Sequence, residues 1–208
     1  MKLKILVLII AVLALVSCVA KENDSTSGSA LFIDSLTGTD LQGKAGSTTV
    51  FSDVCLAGSI INDNAVAAVT VHPINPNADS PQFDITAYMN VIVDQIDVEF
   101  MRTDGRNVEG VDVPYRFVQP MNMIVLVDKT ISIPFVLIRH DAKLEAPLLA
   151  LREVQTQAIV LQLVAKVTLH GKDLGGHRVA PVSGYMSVWC ANFADAEPEP
   201  TPTPTPIR

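Results

Sequence analysis

Residues 159–170, IVLQLVAKVTLH, decide the fold. Ile159, Leu161, Leu163, Ala165, Val167 and Leu169 share one parity, and Gln162, Lys166, Thr168 and His170 share the other. A period of two puts the first set on one face of an extended chain, so the stretch reads as an antiparallel strand with one face buried. Gly171-Lys172-Asp173-Leu174-Gly175-Gly176 then turns the chain, and residues 178–193 return as the second strand of a hairpin. Outward from this hairpin, Ile131, Ile133, Phe135 and Leu137 alternate in the same way, and Pro134 among them lacks an N–H, which marks an edge strand or a bulge. Residues 88–100 change apolar parity midway, from Val91 and Val93 to Ile96, Val98 and Phe100. That switch calls for a bulge near Asp94-Gln95 or for a strand covered on both faces. Asp104-Gly105 ends the run with a hairpin-turn dipeptide, and residues 48–57 and 65–72 are further strands, split by the turn Asn62-Asp63-Asn64. Pro147 followed by LLALREV predicts a helix of two turns with proline in its first turn.

About seven or eight strands at spacings near 8–12 residues, with one short helix, predict an all-β, antiparallel β-sandwich in a single domain over residues 31–195. The strand count, the long closing hairpin and the strand–helix–strand link before it resemble an immunoglobulin or fibronectin type III architecture. This is a likeness of fold and rests on no family motif.

The first residues carry a different message. Lys2 and Lys4 give a positive start, and residues 5–16 are an unbroken apolar run, shorter than the ~20 residues of a spanning helix. Leu15-Val16-Ser17-Cys18 resembles the lipobox of bacterial lipoproteins, in which an aliphatic and a small residue precede an obligatory cysteine. The resemblance covers this segment alone. It implies a signal peptide over 1–17, cleavage between Ser17 and Cys18, a diacylglyceryl group on the Cys18 thiol and acylation of the new amino group. Each buried methylene of such chains contributes roughly 0.8 kcal/mol, and two or three chains together anchor stably. Residues 18–30 are then a lipidated cysteine followed by a polar, flexible tether. In lipoproteins of two-membrane bacteria an aspartate after the cysteine resembles a mark for inner-membrane retention. Val19 stands there in this chain, which favours the outer membrane if the source has two. Residues 196–208 close on a Pro/Thr repeat, expected to be a disordered, semi-rigid tail.

The chain of 208 residues is 49% apolar, with 15 Lys+Arg against 22 Asp+Glu and a net charge of −7. Part of its mean hydropathy of +0.34 belongs to the leader. An acidic balance argues against nucleic acid as a charge-steered partner. The three cysteines resolve into Cys18 as anchor plus Cys55 and Cys190. First and last strands of immunoglobulin-like sandwiches often lie side by side, so these two either form a disulfide or remain separate buried thiols.

A search for catalytic chemistry returns little. Val182-Ser183-Gly184-Tyr185 lacks the first glycine of a nucleophile elbow, Gly43-Lys44 is not followed by Ser or Thr, and no G-x-G-x-x-G is present. The histidines His72, His140, His170 and His177 are scattered; His170 and His177 flank a turn with Asp173 and lack further ligands for zinc. Asp94, Asp97 and Glu99, like Asp63 and Asp104, fit no calcium loop, and Asp97 and Glu99 read as the solvated face of a strand. Trp189 reads as core or rim packing, and Arg139, His140 and Lys143 as a loop face. The expectation is a membrane-anchored extracytoplasmic lipoprotein with a non-catalytic sandwich and no metal or cofactor, serving as a structural, adhesion or protein-interaction module with an envelope protein partner. The alternatives are a metal- or small-ligand-binding envelope protein and a hydrolase with a site built from separate loops.

Overall fold

A computed structural model of the chain describes residues 26–40, 44–55, 58–74, 87–152 and 159–193. The leader with Ser17 and Cys18, most of the tether and the Pro/Thr tail lie outside the described residues. The strands are β1 (Ser29–Thr39), β2 (Ala45–Ser47), β3 (Thr49–Asp53), β4 (Asp63–Pro73), β5 (Val91–Met101), β6 (Phe117–Val125), β7 (Ile131–Ile138), β8 (Leu161–Asp173) and β9 (Arg178–Ala191). A 3-10 turn at Asp141–Leu144 and a short helix, α1 (Leu148–Arg152), join β7 to β8. One sheet has the order β2-β1-β4-β7 and the other β3-β9-β8-β5-β6. The β5–β6 and β8–β9 hairpins stay within one sheet, while the connections after β2, β3, β4, β6 and β7 cross between sheets. That is an all-β sandwich of two sheets, antiparallel as expected except for the parallel pair β3 and β9.

Inward-facing residues of the two sheets meet in one core. Ala67, Val69, Ile133 and Leu137 come from one side, and Val93, Ile96, Val98, Val167, Leu169 and Val188 from the other, all fully buried. Burying each such branched side chain is worth about 1.5–3 kcal/mol, and β-branched residues lose little side-chain freedom in strands. In β8, Leu163, Ala165, Val167 and Leu169 are buried between half-buried or exposed neighbours, as the period of two requires. The strand runs on past His170 to Asp173, with a register shift between Leu169 and Gly171. Glycine is required at 171, because a Cβ there would stand 2.6 Å from the Ile92 carbonyl oxygen.

The parity switch in β5 is a bulge: pairing with both β6 and β8 shifts between Val93 and Gln95. Pro134 lies on β7, an edge strand, where its missing N–H leaves no gap in a ladder. Other expectations are corrected. Asp63 and Asn64 belong to β4 rather than to a turn. The turn at Asp104-Gly105 forms, with Gly105 at φ +82°, yet residues 102–116 separate the two strands of its hairpin. Helix α1 ends its described part at Arg152, and Glu153 and Val154 lie outside the described residues. β1, β2 and β6 are additional strands. β1 starts at Ser29, two residues inside the expected tether, and the Ser27 N–H already donates to the Arg178 carbonyl at 3.1 Å.

The edge strands β6 and β7 belong to different sheets, and Gln119 joins them. Its Nε2 donates to the Val136 carbonyl at 2.7 Å, and the Val136 N–H donates to its Oε1 at 2.9 Å. One side-chain amide thus takes the place of a neighbouring strand. Gln119→Leu should cost about 1–3 kcal/mol, because it strands both backbone groups in a part-buried seam. Urea unfolding measures the loss, and hydrogen exchange at the Val136 amide should accelerate; unchanged protection there would show that the clasp does not hold the seam.

Candidate functional site

The sandwich has two ends. At the near end lie the starts of β1, β5 and β9 and the ends of β4 and β8; at the far end lie the ends of β3, β5, β7 and β9 and the starts of β4, β6 and β8. A buried lysine and its counter-charge lie at the far end. Lys143, carried by the 3-10 turn after β7, has a side chain 0% exposed. Its Nζ donates to the Asp53 carbonyl at 2.8 Å and reaches the two Asp63 carboxylate oxygens at 3.1 and 3.0 Å. Asp63 also accepts from Ser52 Oγ at 2.6 Å, and Ser52 pairs in register with Cys190. The ammonium thus donates to one acceptor on β3 and one on β4 and lies in ion-pair contact with both Asp63 oxygens.

The charges answer to this burial. Desolvation pushes the Asp63 carboxyl above its ordinary 3.8, against the pull of Lys143 and the Ser52 hydroxyl. Burial, and then the Asp63 charge, push the Cys190 thiol up to about 12. A thiol held protonated is a weak nucleophile. The cluster is a cross-tie between two strands and a connection. The expectation of a loop face holds for the exposed His140 and fails for Lys143. Arg139 lies with its guanidinium carbon 4.8 Å above the Phe117 ring.

Cys55 and Cys190 are free thiols. The strands that carry them do lie side by side, but the parallel register of β3 and β9 sets Ser52 opposite Cys190, and Cys55 falls beyond the last pair, Asp53 with Ala191. His170 Nε2 sits 3.0 Å from Asp97, whereas Asp173 accepts the His177 N–H at 2.9 Å and so closes the hairpin turn. His72 pairs with Asp128 and His140 with Asp141. Asp94 and Glu99 face Lys172 and Lys166 across the ladder at 4.0 and 3.6 Å. Hydrogen bonds from Arg102, and then from Arg106, hold the Asp104 carboxyl down at about 2. Among the described residues no three His, Cys, Asp or Glu side chains converge as metal ligands. Trp189 is 37% exposed and packs edge-on against Phe51 at the far end of β9.

Two surfaces stand out. At the far end, large apolar side chains are exposed on the loops: Val108 (59%), Val111 (65%) and Tyr115 (47%) between β5 and β6, Leu144 and Leu149 after β7, and Ile159 before β8. At the near end, a groove of about 1150 Å³ opens between the first residues of β1 and the β8–β9 hairpin. Comparison with protein families and with curated proteins finds no match for this chain.

Two outcomes test the cross-tie. Lys143→Met should destabilise the fold by about 3–5 kcal/mol, because it leaves a carboxylate buried without its cation, and Lys143→Met combined with Asp63→Leu should recover much of that loss in urea unfolding. The second is a pH dependence. With a folded pKa above 3.8, Asp63 contributes its stability fully below that value and loses it as pH rises through the folded pKa. The advantage of the parent over Asp63→Asn should therefore shrink as pH rises above 3.8; an advantage that grows as pH rises would contradict the assignment.

Proposed function

We propose that this chain is an extracytoplasmic lipoprotein, anchored through acyl chains on Cys18, whose immunoglobulin-like sandwich holds another envelope protein at its far end. The observation that carries the reading is the opposition of two features. The segment from Cys18 joins the sandwich at the near end through Ser29, while Val108, Val111 and Tyr115 stand exposed on one far-end loop, between β5 and β6. With β9 spanning 14 residues, about 45 Å separates the two at ~3.3 Å per residue. Large apolar side chains exposed together on one loop are a mark of protein contact. An anchor at one end and a contact surface at the other give a module that presents its loops away from the bilayer. Val19 after the cysteine supports the outer membrane in a two-membrane cell. The reading carries no catalytic step.

Cys18→Ser should move the protein out of the membrane fraction and abolish labelling by a lipid precursor; unchanged fractionation would overturn the anchor. A photo-crosslinking side chain at Val111 should join a second protein in intact cells, and the same group at Tyr88, an exposed near-end residue, should not. Equal labelling from both positions would overturn the far-end assignment.

A further inference from the structure

The buried pair at the far end holds two groups that can react as well as attract. The Lys143 side chain is 0% exposed and that of Asp63 13%. Lys143 Nζ stands 3.1 Å from Asp63 Oδ1 and 3.0 Å from Oδ2. An atom that near to both oxygens of one carboxyl lies within about 3.5 Å of the carbon joining them, the separation of a near-attack pair. Both groups are held in place. The Asp53 carbonyl accepts from Nζ at 2.8 Å. Asp63 accepts from the Ser52 hydroxyl at 2.6 Å and is the first residue of β4, paired with Ile138 of β7.

Burial also changes the form that the pair favours. Two charges taken out of water keep their attraction and lose their hydration. Desolvation raises the Asp63 carboxyl above its ordinary value, the direction in which it takes a proton from the ammonium beside it. The pair then consists of an amine against a carboxylic acid, the two halves of an amide. A lysine that has given up its proton is a nucleophile. Holding it against its target replaces a collision by a step within one molecule.

We propose that Lys143 Nζ and Asp63 Cγ condense slowly after folding into an isopeptide bond, which ties the start of β4 to the turn after β7. The ammonium first gives one proton to Oδ1. Nζ then bonds to Cγ, and the Ser52 hydroxyl, which donates to Oδ2, steadies the negative charge that gathers there. The bond from Cγ to Oδ1 breaks, and Oδ1 leaves as water with the proton it carried and a second from the nitrogen. Nothing is oxidised or reduced, and one amide replaces one ion pair. The burial that favours the step also keeps water from reversing it. Freshly folded chains have the unfolding and pH behaviour of a charged pair; condensed chains have no carboxyl at 63 to titrate. The bond joins positions 80 residues apart, and a cross-link over such a span restricts the unfolded chain.

The test follows the purified full chain as it ages at neutral pH, by peptide mapping with mass spectrometry. A branched peptide that joins the segments containing Asp63 and Lys143, lighter than their sum by one water, should appear and increase with time. It should be absent from chain aged in guanidinium chloride. Asp63→Glu displaces the reacting carbon by one methylene and should lower the branched yield on the order of a hundredfold. Condensed chains should stay folded at guanidinium concentrations that unfold the rest. No branched peptide after ageing, equal amounts from folded and unfolded chain, a yield indifferent to Asp63→Glu, or a water lost only as a cyclic imide at Asp104-Gly105 would each overturn the proposal.

Discussion

Every second residue of β4, β5, β8 and β9 has to face the same slab, about 10 Å thick, between the two sheets. With Val, Ile and Leu filling that slab at zero exposure, a strand can change its parity only by inserting a residue. The insertions therefore fall together. β5 breaks register at Asp94, and β8 and β9 break register between Leu169 and Gly171. Neighbouring strands bulge at one level because a mismatch in one ladder has to be absorbed by the next. The near-end groove opens at that level, lined by Asp94, Gln95, His170 and Gly171. It follows from core alternation pushed to its limit.

The far end meets the opposite problem. There the connections after β3 and β7 cover the core with backbone, whose carbonyls need partners. Lys143 supplies them by bringing an ammonium inside, with Asp63 as its counter-charge. The apolar stem of the lysine covers the core while its head satisfies the Asp53 carbonyl. The loop between β5 and β6 adds Val113 to the core and carries Val108, Val111 and Tyr115 into solvent.

The sandwich and its bulge are legible in the sequence because both are local: the alternation of 159–170, the parity switch at Asp94-Gln95 and Pro134 on an edge each declare themselves within a few residues. β1 and β6 are harder to see. β1 breaks its own alternation with a register shift between Ile33 and Ser35, and β6 alternates half-buried with exposed residues and contains Pro120 and Asn122. The Lys143 tie joins residues 80 and 90 positions apart, and nothing near Lys143 distinguishes it from a surface lysine. The cysteines fail to pair for a reason of register alone, since β3 and β9 are neighbours as expected but Ser52 occupies the place opposite Cys190.

The ladder between β1 and β4 bears on how the domain would carry load. Its pairs run from Ser29 with Pro73 to Gly38 with Ala65, along the axis that joins the two ends. A pull on residue 29 from one end, resisted at the loops of the other, acts along these strands. Such a pull loads the hydrogen bonds of the ladder side by side rather than one after another. A force directed across the sheets would instead peel them apart singly. The direction in which the chain joins β1 thus makes the sandwich stiff under tension between its ends and weak under tension across them.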